Sequence, residues 1–198
     1  MAEIKAAMVK ELRDKSGAGM MDCKNALTEA DGDFEKALEI LRKKGIAKAA
    51  KRADREAKEG VIYSYIHPGS KLGVLVEVNC ETDFVANTGD FKAFAKNIAM
   101  HIAAANPLAI KKEDLDQAVV DKEMEIFKEQ AKASGKPENI VEKIAQGRMD
   151  KFYTEVCLLD QAYVKDMDIT IQQLLTDTIA KVGENVSIKR FARFRIGE

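Results

Sequence analysis

The sequence has few of the features that mark disulfide scaffolds, membrane proteins or exported proteins. Its 198 residues include three cysteines, Cys23, Cys80 and Cys157, which are odd in number and far apart. That pattern argues against a disulfide framework and fits a reducing compartment. No apolar run reaches the length of about 18 residues that a transmembrane helix needs. The first residues, Met-Ala-Glu-Ile-Lys, resemble neither a signal peptide nor a transit segment, so we expect a cytoplasmic protein.

An excess of positive charge is also missing, since the formal net charge is −1. Nucleic-acid-binding domains usually carry a clear positive excess. The local exception is residues 42–58, which contain eight basic side chains and only two acidic ones, Asp54 and Glu56. Such a run more often marks a solvated helical linker than a phosphate-binding surface. The chain contains no Walker-type Gly-x-x-x-x-Gly-Lys-Ser/Thr motif for a nucleotide of its own. Its two histidines, His67 and His101, do not suggest a metal site, and we expect no cofactor.

What the sequence does contain is the composition of a helix-rich globular protein, with 46% hydrophobic and 33% charged residues. Residues 2–45 have the apolar spacing of three short helices, the second at about Met20–Glu29. Asp33 is a suitable N-cap for the third helix, and Gly45 is expected to end it. Three helices this short predict a small bundle like the ubiquitin-associated (UBA) domain.

The remainder predicts an α+β core with an antiparallel sheet flanked by helices. Residues 61–79 have the alternation of a β-hairpin, and residues 186–196 predict a last strand that joins it. Residues 113–152 have the seam of an antiparallel coiled-coil hairpin that reverses at Ser134–Pro137, and residues 156–168 look irregular. The predicted organisation is a UBA-like domain at 1–45, a helical linker at 46–59, the first part of the core at 60–112, the coiled-coil hairpin at 113–152 and the last part of the core at 153–198.

The most informative stretch lies where the hairpin's second strand ends, at residues 78–87. Thr82 and Asp83 are both natural N-cap residues for a following helix. Phe84 comes next, where a solvated turn would normally carry a polar residue. An aromatic side chain at such a corner can point into the core or outward at a partner, and an arbitrary Phe is more often buried.

A second unusual feature is the pair Met20 and Met21 beside a glycine-rich loop. Adjacent helical residues point about 100° apart, so a small bundle can hardly bury both. We therefore expect one methionine to complete the core and the other to lie outward next to Leu12. An exposed methionine would form an adaptable apolar contact surface.

These stretches carry a family resemblance. Residues 77–85, which end in Thr82-Asp83-Phe84-Val85, are similar to the signature of the elongation factor Ts family, the guanine-nucleotide exchange factors of elongation factor Tu (EF-Tu). Residues 16–22, 98–102 and 135–137 match the same family in the same order along the chain. The resemblance implies a non-catalytic exchange factor that binds EF-Tu·GDP. It implies that Mg²⁺ is dislocated from EF-Tu by Thr82, Asp83, Phe84 and Val85, and that the EF-Tu nucleotide domain is held by Lys10, Leu12, Met20 and Met21.

Long family members carry two similar core subdomains, whereas this sequence carries one. It therefore resembles the short form, and we expect a homodimer and a 2:2 complex with EF-Tu.

Three other functions are compatible with parts of the sequence. They are a UBA-type ubiquitin adaptor, a ribosome-associated RNA-binding factor that uses residues 42–58, and a thiol hydrolase with Cys80, Asp83 and His101. The last lacks a recognisable oxyanion loop.

Overall fold

The computed structural model describes residues 4–135 and 137–198. Lys136, which belongs to the predicted helical reversal and to one of the family-like motifs, lies outside the described residues, as do the first three residues of the predicted N-terminal domain. Among the described residues, no helix is both long and apolar enough to cross a membrane.

The chain begins with three helices, as predicted: α1 (Ala6–Ser16), α2 (Met20–Glu29) and α3 (Phe34–Ala50). Gly17 ends α1 in the left-handed conformation (φ 67°), which glycine adopts without strain, and its N–H donates to the Arg13 carbonyl. The predicted N-cap Asp33 accepts a hydrogen bond from the N–H of Lys36. The bundle core consists of Val9, Leu12, Cys23, Ala26, Leu27, Ala30, Ala37 and Leu41.

The prediction that Gly45 ends the third helix is wrong. Gly45 lies inside α3, and a Cβ atom built on it would lie 3.6 Å from the Cβ of Ala180. A methyl group at this position would therefore make an ordinary van der Waals contact, so the glycine neither provides a turn nor is required by packing. The separate linker helix predicted at 46–59 is also wrong, because residues 46–50 continue α3 and residues 51–55 form turns and a bend.

A three-stranded antiparallel sheet follows, in which β2 (Leu72–Cys80) lies between β1 (Glu59–Ile66) and β5 (Val186–Arg195). It confirms the predicted hairpin and its pairing with the last strand. Alternate side chains of β2 are buried, as the period-2 pattern predicts. Gly60 has a φ of +147°, and a Cβ there would lie only 2.2 Å from the Val78 carbonyl oxygen, so only glycine fits. The strands are β1 (Glu59–Ile66), β2 (Leu72–Cys80), β3 (Ala162–Tyr163), β4 (Asp166–Thr170) and β5 (Val186–Arg195).

Helices flank this sheet, and a helix pair lies between its second and last strands in sequence. An apolar stripe runs along α5 (Gly89–Ala105), whose Phe91, Ile98 and Ile102 are fully buried. In the helix pair, the rings of Phe127 and Phe152 meet edge to face with centroids 6.5 Å apart. The helices are α4 (Asp83–Ala86), α5 (Gly89–Ala105), α6 (Gln117–Ala133), α7 (Glu138–Val156) and α8 (Ile171–Val182).

The stretch predicted to be irregular, residues 156–168, is more ordered than expected. A turn of 3₁₀-helix at Leu158–Asp160 leads into β3, which pairs antiparallel with β4. A strand of two residues is too short to give a readable alternation, so the sequence pattern could not indicate this hairpin.

The chain divides into two compact units. Within the described residues, the first comprises residues 4–63, Val76–Asn97 and Gln173–Lys189, and the second comprises Ser64–Leu75, Ile98–Gln172 and Arg190–Glu198.

Candidate functional site

The first unit contains the corner between β2 and α4. Thr82 is the N-cap of α4, with extended backbone (φ −132°, ψ 153°), and its Oγ1 accepts the N–H of Val85 at 3.3 Å. This hydrogen bond satisfies one of the free donors of the first helical turn. Of the two cap residues that the sequence allowed, the structure therefore selects Thr82, and Asp83 becomes the first residue of the helix.

The corner sends neighbouring side chains in opposite directions. Val85 and Ala86 are buried, whereas Asp83 is exposed and Phe84 is 80% exposed. A large aromatic ring this open to solvent is unusual, because Phe is among the side chains most often buried. Val85 thus anchors the short helix while Phe84 stands free on its surface.

Below the corner lies a set of hydrogen bonds that we call the corner brace, formed by Glu81, Thr82, Glu184 and Asn185. One Glu184 oxygen accepts the N–H groups of Glu81 (3.1 Å) and Thr82 (3.0 Å), and the other accepts the Thr82 hydroxyl (2.7 Å). The Glu81 carboxylate in turn accepts the N–H of Asn185 at 2.6 Å. Sequence reasoning missed Glu184 and Asn185, whose only local signal was their place directly after the helix-ending Gly183.

Cys80 and His101, two members of the hypothetical thiol triad, have structural partners of their own. The Cys80 thiol is buried and donates to the Thr82 carbonyl at 3.1 Å. Burial, and then the negative charge of Glu184, raise the pKa of that thiol, which disfavours the reactive thiolate. This environment is that of a packing residue.

His101 is fully buried, as expected of a structural histidine on an apolar helix. Its Nδ1 accepts the Val164 N–H at 3.3 Å, and its Nε2 therefore donates to the Gln161 side-chain oxygen at 2.9 Å. Burial lowers the pKa of the imidazole, which keeps the ring neutral. Both ring nitrogens are thus engaged in holding the fold.

The N-terminal bundle presents the second group of predicted site residues. Met20 is 47% and Met21 is 65% exposed, and Lys10 is exposed as well. The expectation that one methionine would complete the core is therefore wrong: the start of α2 carries both outward. Leu12 is fully buried in the bundle core, so it supports this surface from beneath and does not lie on it.

Ionic contacts join both ends of α2 to α3. Lys48 lies 2.8 Å from the Asp22 carboxylate, and Lys44 lies 2.6 Å from Glu29. Both lysines belong to the basic run at 42–58. Several of its cations are therefore paired within the chain, which weakens the argument for a phosphate-binding surface there.

An exposed aromatic ring on a braced corner and an exposed methionine pair are typical of a protein that acts through contacts with another protein. The chain belongs to the elongation factor Ts family, because the family model "Elongation factor TS" matches residues 5–198.

Individual relatives agree with this assignment. The chain is 60% identical over 195 residues to "Elongation factor Ts" of Carboxydothermus hydrogenoformans, which covers 98% of this chain and 90% of that protein. It is 58% identical over 198 residues to "Elongation factor Ts" of Desulfosudis oleivorans, with both chains fully covered. The protein of the same name from Fervidobacterium nodosum is 58% identical over 196 residues, 99% of this chain and all of that protein.

The chain is accordingly a non-catalytic nucleotide exchange factor for EF-Tu in translation elongation. The expected function is confirmed, and the ubiquitin-adaptor, RNA-binding and thiol-hydrolase alternatives are set aside.

Proposed function

We propose that the chain releases GDP from EF-Tu by inserting Phe84 into the nucleotide-binding domain beside the Mg²⁺ site. Asp83 is the polar companion of the ring at the same surface, and Thr82 and Val85 hold the corner. The observation that supports this most is the exposure of Phe84 next to the buried Val85. Because the ring is already outside the core, insertion does not require this protein to unfold any of its own packing.

The free energy gained by burying Phe84 is comparable to the free energy needed to weaken nucleotide binding. A GTPase holds its nucleotide through Mg²⁺ and backbone N–H groups around the phosphates. Loss of two charge-assisted hydrogen bonds, at about 1.5–3 kcal/mol each, would speed release by about 10²–10⁴-fold. Burial of one Phe side chain contributes about 1.5–3 kcal/mol. A partner speeds release only by binding the nucleotide-free state better than the loaded state, so the ring's contacts must form mainly in that distorted state.

The UBA-like bundle formed by α1–α3 acts in this proposal as an anchor on the same domain of EF-Tu. Met20, Met21 and Lys10 form the contact surface, and buried Leu12 keeps it in shape. Methionine side chains are unbranched and flexible, so they adapt to a partner surface that changes during exchange. The bundle therefore supplies affinity, while Phe84 supplies the distortion.

This division of labour is testable by measuring the release of a fluorescent GDP from EF-Tu in a stopped-flow instrument at increasing concentrations of this protein. We expect Met21→Ala to raise the half-saturating concentration with little change in the maximal rate. Phe84→Ala should lower the maximal rate. Met167→Ala removes a similarly exposed methionine (71%, against 65% for Met21) outside the proposed sites and serves as the matched control. Identical maximal rates for Phe84→Ala and the control would contradict the proposal.

We also propose that helices α6 and α7 form a coiled-coil arm that contacts a second surface of EF-Tu. Val141, Ala145 and Met149 recur every fourth residue and are buried along α7, which is the pattern of a helix packed on one partner helix. Replacing the pair with a short loop should weaken binding to EF-Tu in calorimetry while leaving Phe84-dependent release measurable at saturation. Unchanged affinity would refute the arm's role.

A homodimer is the final part of the proposal. In the second unit, Ile66, Leu75, Phe194 and Ile196 are exposed around one groove on the sheet. An apolar patch of this kind is typical of an interface, and the resemblance to short family members, which pair, favours a second copy as its occupant. A self-complementary contact would give a 2:2 complex with EF-Tu. We expect Phe194→Asp to halve the mass measured by light scattering; a monomeric native protein at high micromolar concentration would refute pairing.

A further inference from the structure

The corner that carries Phe84 is held by a segment more than a hundred residues away in sequence. Gly183 ends α8 in the left-handed conformation (φ 81°), with its N–H donating to the Ile179 carbonyl. This turn directs the next residue, Glu184, to the end of β2. The Glu184 carboxylate then accepts the hydrogen bonds of the corner brace that come from Glu81 and Thr82.

Two hydrogen bonds that meet at Thr82 connect Glu184 to the helix that carries Phe84. The Thr82 hydroxyl donates a hydrogen bond to the Glu184 carboxylate. The lone pairs of the Thr82 oxygen therefore stay free to accept the N–H of Val85. The Glu184 carboxylate therefore fixes both the backbone and the side-chain orientation of the N-cap. Phe84 lies between the N-cap and Val85, within one turn of this capping hydrogen bond.

The other half of the corner brace attaches it to the segment after α3. Asn185 is buried, and its side-chain amide donates to the carbonyls of Ala53 (3.3 Å) and Arg55 (2.7 Å). Its backbone N–H donates to Glu81. The turn at residues 184–185 thus contacts the corner on one side and the segment after α3 on the other, so it supports both.

We propose that Glu184 is a positioning residue for nucleotide exchange, which holds α4 so that Phe84 meets EF-Tu in one orientation. The inference rests on the proposed insertion of Phe84. A helix of four residues has little stability of its own, and a ring that had to be ordered on binding would lose part of its interaction free energy. Glu184 orders the corner beforehand through three charge-assisted hydrogen bonds.

Three substitutions at this position separate reach from charge. Glu184→Gln keeps the length of the side chain and one acceptor oxygen, Glu184→Asp keeps the charge but is one methylene too short, and Glu184→Ala removes both. In the stopped-flow release assay, we expect Glu184→Ala and Glu184→Asp to lower the maximal rate by about 10-fold, the size of one lost charge-assisted hydrogen bond. Glu184→Gln keeps the reach of the side chain but loses the charge assistance, so its rate should lie between those of the native protein and Glu184→Ala. The half-saturating concentration should change little in all three.

Two further measurements distinguish positioning from general destabilisation. Urea unfolding shows whether each variant is folded at the assay temperature, and Asp and Gln provide folded comparisons if Ala does not fold. The double variant Phe84→Ala/Glu184→Ala should be no slower than Phe84→Ala alone, because Glu184 acts through the ring.

The outcomes separate this inference from the proposal beneath it. A native release rate with Phe84→Ala would refute the proposed insertion of the Phe84 ring itself. A slow Phe84→Ala together with full-rate Glu184→Ala would overturn the positioning role alone. Retention of the full rate by Glu184→Asp would also overturn it, since a side chain too short to make these hydrogen bonds could not hold the corner.

Discussion

Replacing Phe84 with alanine should slow nucleotide exchange without weakening the fold. The ring is 80% exposed, so its removal leaves no cavity, and we expect the free energy of unfolding to change by less than about 0.5 kcal/mol. If the ring is buried by EF-Tu in the nucleotide-free state, its loss removes about 1.5–3 kcal/mol of stabilisation from that state. At about 1.4 kcal/mol for each factor of ten, stimulated release should be about 10- to 150-fold slower.

The assay is displacement of a fluorescent GDP from EF-Tu, with the variant at concentrations that saturate the rate. Circular dichroism and urea unfolding verify that the variant is folded. Phe84→Leu offers a graded control, since it keeps an apolar side chain of smaller area and should fall between the native protein and alanine. A folded Phe84→Ala that supports release within twofold of the native rate would refute the reasoning.

The structure makes three further predictions. Leu12→Ala opens a cavity in a small core and should lower the free energy of unfolding by about 2–5 kcal/mol in urea titrations, whereas a similar loss with Met21→Ala would contradict its exposure. Buried His101 resists protonation in the fold but not when unfolded, so below about pH 6.5 the unfolded state binds more protons and the urea midpoint should fall; a midpoint that is flat from pH 7 to 5 would contradict this. Gly60→Ala places a Cβ 2.2 Å from the Val78 carbonyl and should destabilise by more than about 1 kcal/mol, so an unchanged melting temperature would refute the assigned contact.

Much of the fold could be predicted because its signals are local. The apolar spacing of the N-terminal helices, the alternation in β2 and the N-cap residue Asp33 each act within one element, and each prediction agrees with the structure. The prediction for Gly45 failed because a glycine ends a helix only where its backbone leaves the helical conformation, and α3 continues through Gly45 without a positive φ.

The same distinction between local signals and tertiary contacts applies to the candidate site. The sequence indicated that Phe84 stands at a corner, but the direction of its ring depends on how Val85 packs, and that is a tertiary property. Glu184 could not be found at all, because it bonds to Thr82 across 102 positions and no periodic pattern links the two. Leu12 shows the opposite case. The family resemblance groups it with the contact residues Met20 and Met21, whereas the structure buries it in the bundle core.

The central claim is that the Phe84 ring passes from water into the interior of EF-Tu during exchange. Fluorine NMR of this protein with 4-fluorophenylalanine incorporated only at position 84 tests it most directly. We predict a resonance that shifts between H₂O and D₂O in the free protein and loses that solvent dependence in the nucleotide-free complex with EF-Tu. A resonance that keeps its full solvent dependence in the assembled complex would contradict the claim.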